Sequence, residues 1–190
     1  HAAAKSIGVP LYKHLSGTFP FTLPIPMFNI LNGGKHAENS TDFQEFMVVP
    51  AGFDTFQQSL RAGVEIYHTL KRILNNTGIG TSIGDEGGFT PQLSSNRDAV
   101  ELILRAIETA GYKPGAQCFI ALDIAASELA SGENTYHLKK EQKSLSTQQL
   151  IDIYESLVKE YPIISIEDGL SEHDWQGWSH LMNRLGSSIQ

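Results

Sequence analysis

The sequence is poor in cysteine and in basic residues, and each shortage excludes a class of protein. Cys118 is the only cysteine among the 190 residues, so these residues cannot form a disulfide with one another. The 14 lysines and arginines are outnumbered by 21 aspartates and glutamates, which gives a formal net charge of −7. A general nucleic-acid or anionic-membrane surface needs a basic patch, so we expect neither partner.

Long apolar runs and several common site motifs are also missing. No uninterrupted apolar run reaches the length that spans a bilayer, and no signal peptide opens the chain, so we expect no membrane insertion. The sequence has no P-loop, no GxGxxG run, no HExxH motif and no cysteine-based metal signature. A hydrophobic content of 41% is typical of a globular chain, and the single cysteine favours a cytoplasmic location.

Hydrophobic spacing predicts an α/β fold in which strands alternate with helices. Apolar, β-prone runs predict strands at 25–31, 43–49, 118–122 and 163–166. Apolar residues three and four positions apart predict helices at 1–6, 54–77, 95–110, 146–161 and 175–185, with Asp54 capping the second and Ser146 the fourth. From residue 118 to 185 the order is strand, helix, strand, helix, which predicts parallel βαβ units.

Adjacent carboxylates lie between glycines in the run GDEGG at 84–88. Glycines allow backbone conformations closed to other residues and let a ligand approach closely, so Asp85 and Glu86 suit a general acid or a cation site. The same run is also an ordinary solvated surface turn. The run by itself leaves both interpretations open.

Two acids directly follow predicted buried strands: Asp123 follows 118–122, and Glu167 follows 163–166. Residues at the carboxyl ends of parallel barrel strands converge on one mouth, where active sites lie. Two carboxylates at that mouth are credible ligands for Mg²⁺, which takes oxygen ligands. Either acid alone would also serve as a helix cap, but their matching positions favour a metal site. We expect Asp168 to act as a helix cap or as a group that orients its neighbours.

Polar residues interrupt the predicted strand 43–49 at Gln44 and Glu45. Period-two alternation places Phe43 and Glu45 on one face and Gln44 and Phe46 on the other. A straight strand therefore cannot point both polar side chains inward, and we expect a strand end or a bulge at this point.

Four segments together resemble enolases of the bacterial type. They are NGGKHAENSTDFQEFM at 32–47, GDEGG at 84–88, ALDIAASE at 121–128 and SIEDGL at 165–170. The resemblance extends over nearly the whole chain. It implies the lyase activity of that glycolytic family, the reversible dehydration of 2-phosphoglycerate to phosphoenolpyruvate, with Mg²⁺ as the cofactor.

The resemblance also implies roles for the acidic residues. Glu86 is expected to donate the proton that lets the 3-hydroxyl leave, which calls for a carboxylic acid with a raised pKa. Glu45 faces the reacting carbon in the family, and we place it among the catalytic residues and in the substrate shell. Asp123 and Glu167 match metal ligands of the family.

Two further residues match substrate contacts of the family. Gln44 precedes Glu45 in the QEF run, and His36 lies in a glycine-flanked loop that closes over the substrate in enolases. A lone loop histidine is more often a solvated bystander, and only the motif match favours a functional role for His36.

An enolase-type TIM (β/α)8 barrel is the implied fold, and the chain is expected to be a partial copy. Residues 1–17 would contain the last helix of an α+β capping domain, and residues 18–190 the first half of the barrel. A closed barrel of this type needs eight strands, whereas about four are visible. The third metal ligand and the lysine base are expected beyond Gln190, so we expect the isolated residues to be inactive and the full-length enzyme to be a homodimer or higher homo-oligomer.

Two alternatives stay open at this point. One is another dehydratase or racemase of the wider enolase superfamily, although the strand motifs of the KxK type that such relatives usually carry are absent. The other is a non-catalytic binding role for the truncated chain.

Overall fold

The computed structural model describes residues 1–37, 40–84, 86–132 and 134–190. Its helices are α1 (Ala2–Ser6), α2 (Leu11–Ser16), α3 (Phe56–Thr77), α4 (Asn96–Thr109), α5 (Ala126–Leu129), α6 (Thr147–Glu160) and α7 (Trp175–Leu185). Its strands are β1 (Phe28–Asn32), β2 (Glu45–Val49), β3 (Phe119–Asp123), β4 (Ala130–Gly132), β5 (Thr135–Leu138), β6 (Lys143–Ser146) and β7 (Ile163–Glu167). A 3-10 turn spans Gly34–His36.

The main sheet has four strands in the order β1-β2-β3-β7. The parallel pair predicted from the βαβ pattern is confirmed for β3 and β7. Strand β2 runs antiparallel to both β1 and β3, which departs from the parallel barrel arrangement of the prediction. The reason is the connection: β1 leads to β2 through a loop without a crossover helix, so the chain returns in the opposite direction.

A short segment extends this sheet beside β1. Phe89 forms a parallel bridge with Leu31: its N–H donates to the Ile30 carbonyl at 3.0 Å, and its own carbonyl accepts from the Asn32 N–H at 2.8 Å. These bonds hold the chain immediately after Gly88 at the carboxyl end of β1.

The two faces of the sheet bury different sets of residues. Phe46, Val48, Ile120 and Leu122 belong to the large core that includes the apolar faces of the helices. On the other face, Met47, Val49 and Ala121 form a smaller apolar cluster. This two-sided burial explains why the strands are continuous apolar runs.

A second sheet, β4-β5-β6, lies in the connection between α5 and α6 and was missed by the sequence prediction. Its strands are three or four residues long, too short for a clear periodic signal. The side chains of β5 do alternate in burial: Tyr136 and Leu138 are buried in the main core. We call β4-β5-β6 the hairpin sheet.

The helix starts follow local capping chemistry. Ser146 caps α6 in a reciprocal capping box with Gln149, as predicted. The predicted Asp54 cap is wrong: Thr55 caps α3, where its hydroxyl accepts the Gln58 N–H. The sequence analysis also did not predict α2, because this six-residue helix is exposed and has no apolar stripe. Within the described residues, no helix is long and apolar enough to cross a membrane.

The boundary between residues 1–17 and 18–190 stays a prediction. Residues 17–27, which include Pro20, Pro24 and Pro26, connect α2 to β1 without regular secondary structure. Large apolar side chains are exposed along this connection, among them Phe19, Leu23 and Ile25.

The hydroxyl of Tyr154 fixes the turn that follows β7. Fully buried on α6, it donates a hydrogen bond to the Gly169 carbonyl at 2.8 Å. We expect Tyr154→Phe to lower the free energy of unfolding by about 1–3 kcal/mol, because the carbonyl loses its partner. Urea unfolding of the full-length protein measures this, with Tyr12→Phe on the exposed helix α2 as the control. Equal stability of the two variants would contradict it.

Candidate active site

Polar and acidic residues stand side by side at one end of the main sheet. The register pairs Asn32 with Glu45, Glu45 with Asp123, and Asp123 with Glu167. This end is the carboxyl end of β1, β3 and β7, and the amino end of β2 because β2 is reversed. We call Glu45, Asp123 and Glu167 the carboxylate row. The predicted approach of Asp123 to Glu167 at matching strand ends is therefore present.

Gln44 and Glu45 lie at the start of β2, as the prediction of a strand end requires. Gln44 precedes the strand: its N–H donates to the Asp123 carbonyl at 3.1 Å, and its side-chain Nε2 donates to Asp123 Oδ2 at 3.3 Å. The alternation predicted for Phe43 is wrong, because Phe43 is buried in the helix-side core with Phe46. The irregular backbone before β2 thus lets Gln44 and Glu45 both approach Asp123.

Glu86 approaches the row from the glycine-rich loop, and its carboxyl group hydrogen-bonds to that of Glu45. The loop passes closely over β1: a Cβ added at Gly88 would collide with the Asn32 side chain. Gly87 has φ +88°, a conformation that favours glycine. Glu86 itself is exposed. Asp85, the other acid of the run, lies outside the described residues.

Burial and mutual repulsion raise the pKa values of the row. Loss of hydration, the hydrogen bond that protonated Glu45 shares with Glu86, and the charges of Glu86, Asp123 and Glu167 raise the pKa of Glu45 to about 8. Desolvation is also the first cause that raises the pKa of Asp123 and of Glu167, followed by neighbouring carboxylates. Glu45, the hydrogen-bonded partner of Glu86, therefore holds a proton at neutral pH.

Neither acid of the predicted metal pair caps the helix that follows it. Helix α5 begins without a side-chain cap, and α7 is capped by Asp174. Asp123 Oδ1 accepts the Ala125 N–H at 3.0 Å, while Asp168 adopts φ +45° and its carbonyl accepts the Ala126 N–H. The capping interpretation of Asp123 and Glu167 is not supported.

The donor set of Asp123 and Glu167 fits a hard divalent cation. Both groups supply carboxylate oxygens, and after desolvation the charges of neighbouring carboxylates also raise the pKa of each. A divalent cation would offset that charge. Searched within the described ranges alone, no group of three His, Cys, Asp or Glu side chains is arranged to hold a metal ion. Asp123 and Glu167 would therefore supply only part of the coordination shell of such an ion.

The loop before β2 lies over a cavity of about 720 Å³. Gln44, the β3–α5 turn at Ala125, and Lys139 and Lys140 in the turn between β5 and β6 contribute to its walls. The cavity therefore adjoins the carboxylate row. The backbone of His36 lies in the 3-10 turn of this loop, and its side chain lies outside the described part of the chain.

Asn32 is a site residue that the sequence prediction missed. It is fully buried beside Glu45, and its amide atoms have no hydrogen-bond partner among the described residues. The available signal was an asparagine that directly follows the apolar pair Ile30 and Leu31, since a buried amide needs partners.

These features define a class of protein, the α/β barrels that collect acidic side chains at the carboxyl ends of their strands. Residues 20–190 match the family model of the enolase C-terminal TIM barrel domain, so the chain belongs to this family and forms part of that barrel.

Curated relatives agree with this assignment. The chain is 53% identical over 189 residues to a protein named enolase from Wolinella succinogenes, and covers 45% of its length. It is 57% identical to one from Helicobacter hepaticus and 54% identical to one from Natranaerobius thermophilus, and covers 44% of each. All three matches include the whole chain, which thus spans less than half the length of these relatives.

The raised pKa of Glu45 predicts a pH effect on stability. Between the ordinary value of 4.5 and about 8, the folded chain holds a proton that the unfolded chain has released. Stability of the full-length protein in a chelator should therefore fall as the pH rises through this window. Glu45→Gln cannot titrate, so its denaturant midpoint should change less over the same range.

Exposed Glu108 supplies the matched control, because Glu108→Gln should keep the wild-type pH dependence. A Glu45→Gln profile that parallels the wild-type profile would contradict the assignment of the bound proton.

Proposed function

We propose that the full-length protein is an enolase that interconverts 2-phospho-D-glycerate and phosphoenolpyruvate. The observation that carries the proposal is the in-register carboxylate row with Glu86 hydrogen-bonded to its first member. The relatives named enolase support it, since they match the whole chain. No observation favours a different superfamily reaction or a purely non-catalytic role.

Asp123 and Glu167 are the residues that would hold Mg²⁺. When bound, the ion would offset the negative charge of the substrate carboxylate and of the carboxylate row. Gln44 would orient Asp123 through its side-chain hydrogen bond at 3.3 Å.

Glu86 and Glu45 would supply the proton that the departing 3-hydroxyl group needs. Hydroxide is a poor leaving group, so its departure requires a proton from a nearby acid. The two carboxyl groups are hydrogen-bonded to each other, and the pKa of Glu45 of about 8 keeps a proton on the pair at neutral pH. Exposed Glu86 would deliver that proton to the substrate oxygen, and Glu45 would replenish it.

Substrate contacts would come from Glu86, Glu45, Gln44 and His36. Gln44 lines the cavity beside the row, which leaves room for a small anionic substrate. A cytoplasmic location and a homodimeric or larger assembly remain parts of the proposal.

Glu86→Gln in the full-length protein tests the proton-donor role. The amide keeps the size and the hydrogen bond to Glu45 but cannot deliver a proton, so dehydration should fall by about 10²–10⁴-fold. Exchange of the substrate C2 proton with solvent does not need this delivery and should survive better. Turnover and isotope exchange measure the two steps.

The exposed Glu172→Gln variant is the control and should keep both rates. Equal loss of turnover and exchange would instead mean that Glu86 organises the whole site. Near-normal turnover would assign the proton to another group.

Asp123→Asn tests the metal-binding role. Mg²⁺ at one hundred times its dissociation constant should stabilise the full-length wild-type protein by about 2.7 kcal/mol, because it binds the folded state alone. Asp123→Asn should weaken binding in calorimetry and reduce the thermal shift, while Asp54→Asn in an exposed loop should behave as wild type. An unchanged shift in Asp123→Asn would remove this residue from the metal site.

A further inference from the structure

Two buried side chains, Asp42 and Asn96, and the partly buried Glu141 join the loop before β2, the turn of the hairpin sheet and the start of α4. Asp42 Oδ1 accepts the Lys140 N–H at 2.8 Å, and its Oδ2 accepts the Glu141 N–H at 3.2 Å. Glu141 Oε1 accepts both the backbone N–H and the side-chain Nδ2 of Asn96, at 3.1 and 3.0 Å. We call Asp42, Asn96 and Glu141 the loop network.

The network closes on itself through Asn96. Its Oδ1 accepts the Asp42 N–H at 3.1 Å and the Phe43 N–H at 2.9 Å. Asp42 is 6% and Asn96 4% exposed, so water cannot readily replace these bonds. Each of the three side chains therefore satisfies two N–H groups, and the loss of one leaves buried donors unpaired.

The network ends where the site begins. Phe43 is followed directly by Gln44, whose N–H and Nε2 both donate to Asp123, and then by Glu45 of the carboxylate row. On the other side, the Thr41 carbonyl accepts the Gly34 N–H at 2.7 Å, which ties the base of the His36 loop to the same anchor. A shift of the backbone at 42–43 would therefore move Gln44 and Glu45 together.

We propose that the loop network is a positioning device through which the hairpin sheet sets the places of Gln44 and Glu45 beside Asp123. This inference deepens the proposed function and rests on it for its catalytic consequence. Glu141 is the positioning residue whose side chain acts on Gln44 and Glu45 indirectly: it accepts from Asn96, and Asn96 accepts from the backbone of Asp42 and Phe43.

Glu141→Ala in the full-length protein, compared with Glu141→Gln, tests the proposal. The alanine removes the acceptor for Asn96, whereas the glutamine keeps an accepting oxygen and should restore wild-type behaviour. Hydrogen exchange at the Asp42 and Phe43 amides should be about tenfold faster in Glu141→Ala, and the change should spread to the Gln44 amide. The kcat for dehydration should fall about 10- to 100-fold, with a smaller change in KM, at a temperature where every variant is folded.

Lys143→Ala is the matched control, because Lys143 pairs with the other oxygen of Glu141 at 2.7 Å and is half exposed. It should leave exchange and turnover as in wild type. If Glu141→Ala does not fold, Asp42→Asn takes its place, since it keeps one accepting oxygen and the side-chain volume. The same faster exchange and lower kcat are then expected.

The outcomes separate the two proposals. Unchanged exchange at Asp42, Phe43 and Gln44 in Glu141→Ala overturns the positioning device, and so does faster exchange with an unchanged kcat. A folded wild-type protein that does not dehydrate 2-phosphoglycerate overturns the proposed function. In that case the exchange at Gln44 alone decides whether the network positions the residues beside Asp123.

Discussion

The reversal of β2 between β1 and β3 is the constraint on which the site depends. Because β2 begins where its neighbours end, its first residue enters the same end of the sheet as the last residues of β1, β3 and β7. A parallel strand in that position would present its own carboxyl end there and carry Glu45 to the opposite end. The connection without a crossover helix thus assembles the carboxylate row.

That assembly has an electrostatic cost, which the surrounding groups only partly offset. Asp123 gains hydrogen bonds from Gln44 and Ala125, yet desolvation still raises its pKa. Glu45 responds by holding a proton, and Glu86 shares a hydrogen bond with it. A divalent cation would offset this crowding of negative charge, and the proton that Glu45 holds already reduces it. The proposed reaction would use both.

The hairpin sheet shows how structure outside the barrel strands serves the site. Its own strands are short and its outer residues exposed, so its contribution is in its turn, where Lys140 and Glu141 donate to Asp42. Breaking these buried hydrogen bonds would leave polar groups unpaired, which costs free energy. The turn therefore fixes the backbone that carries Gln44 and Glu45.

The sequence by itself determined the local features: the apolar runs of β3 and β7, the Ser146 cap, the acids that follow each strand and the four motifs of the family. Each of these depends on neighbours along the chain, which a sequence displays directly. Only the tertiary structure decided that Phe43 turns to the helix side, that Asn32 lies beside Glu45, and that the raised pKa falls on Glu45. Strand direction, register and desolvation arise from contacts between residues far apart in sequence, so no local pattern could contain them.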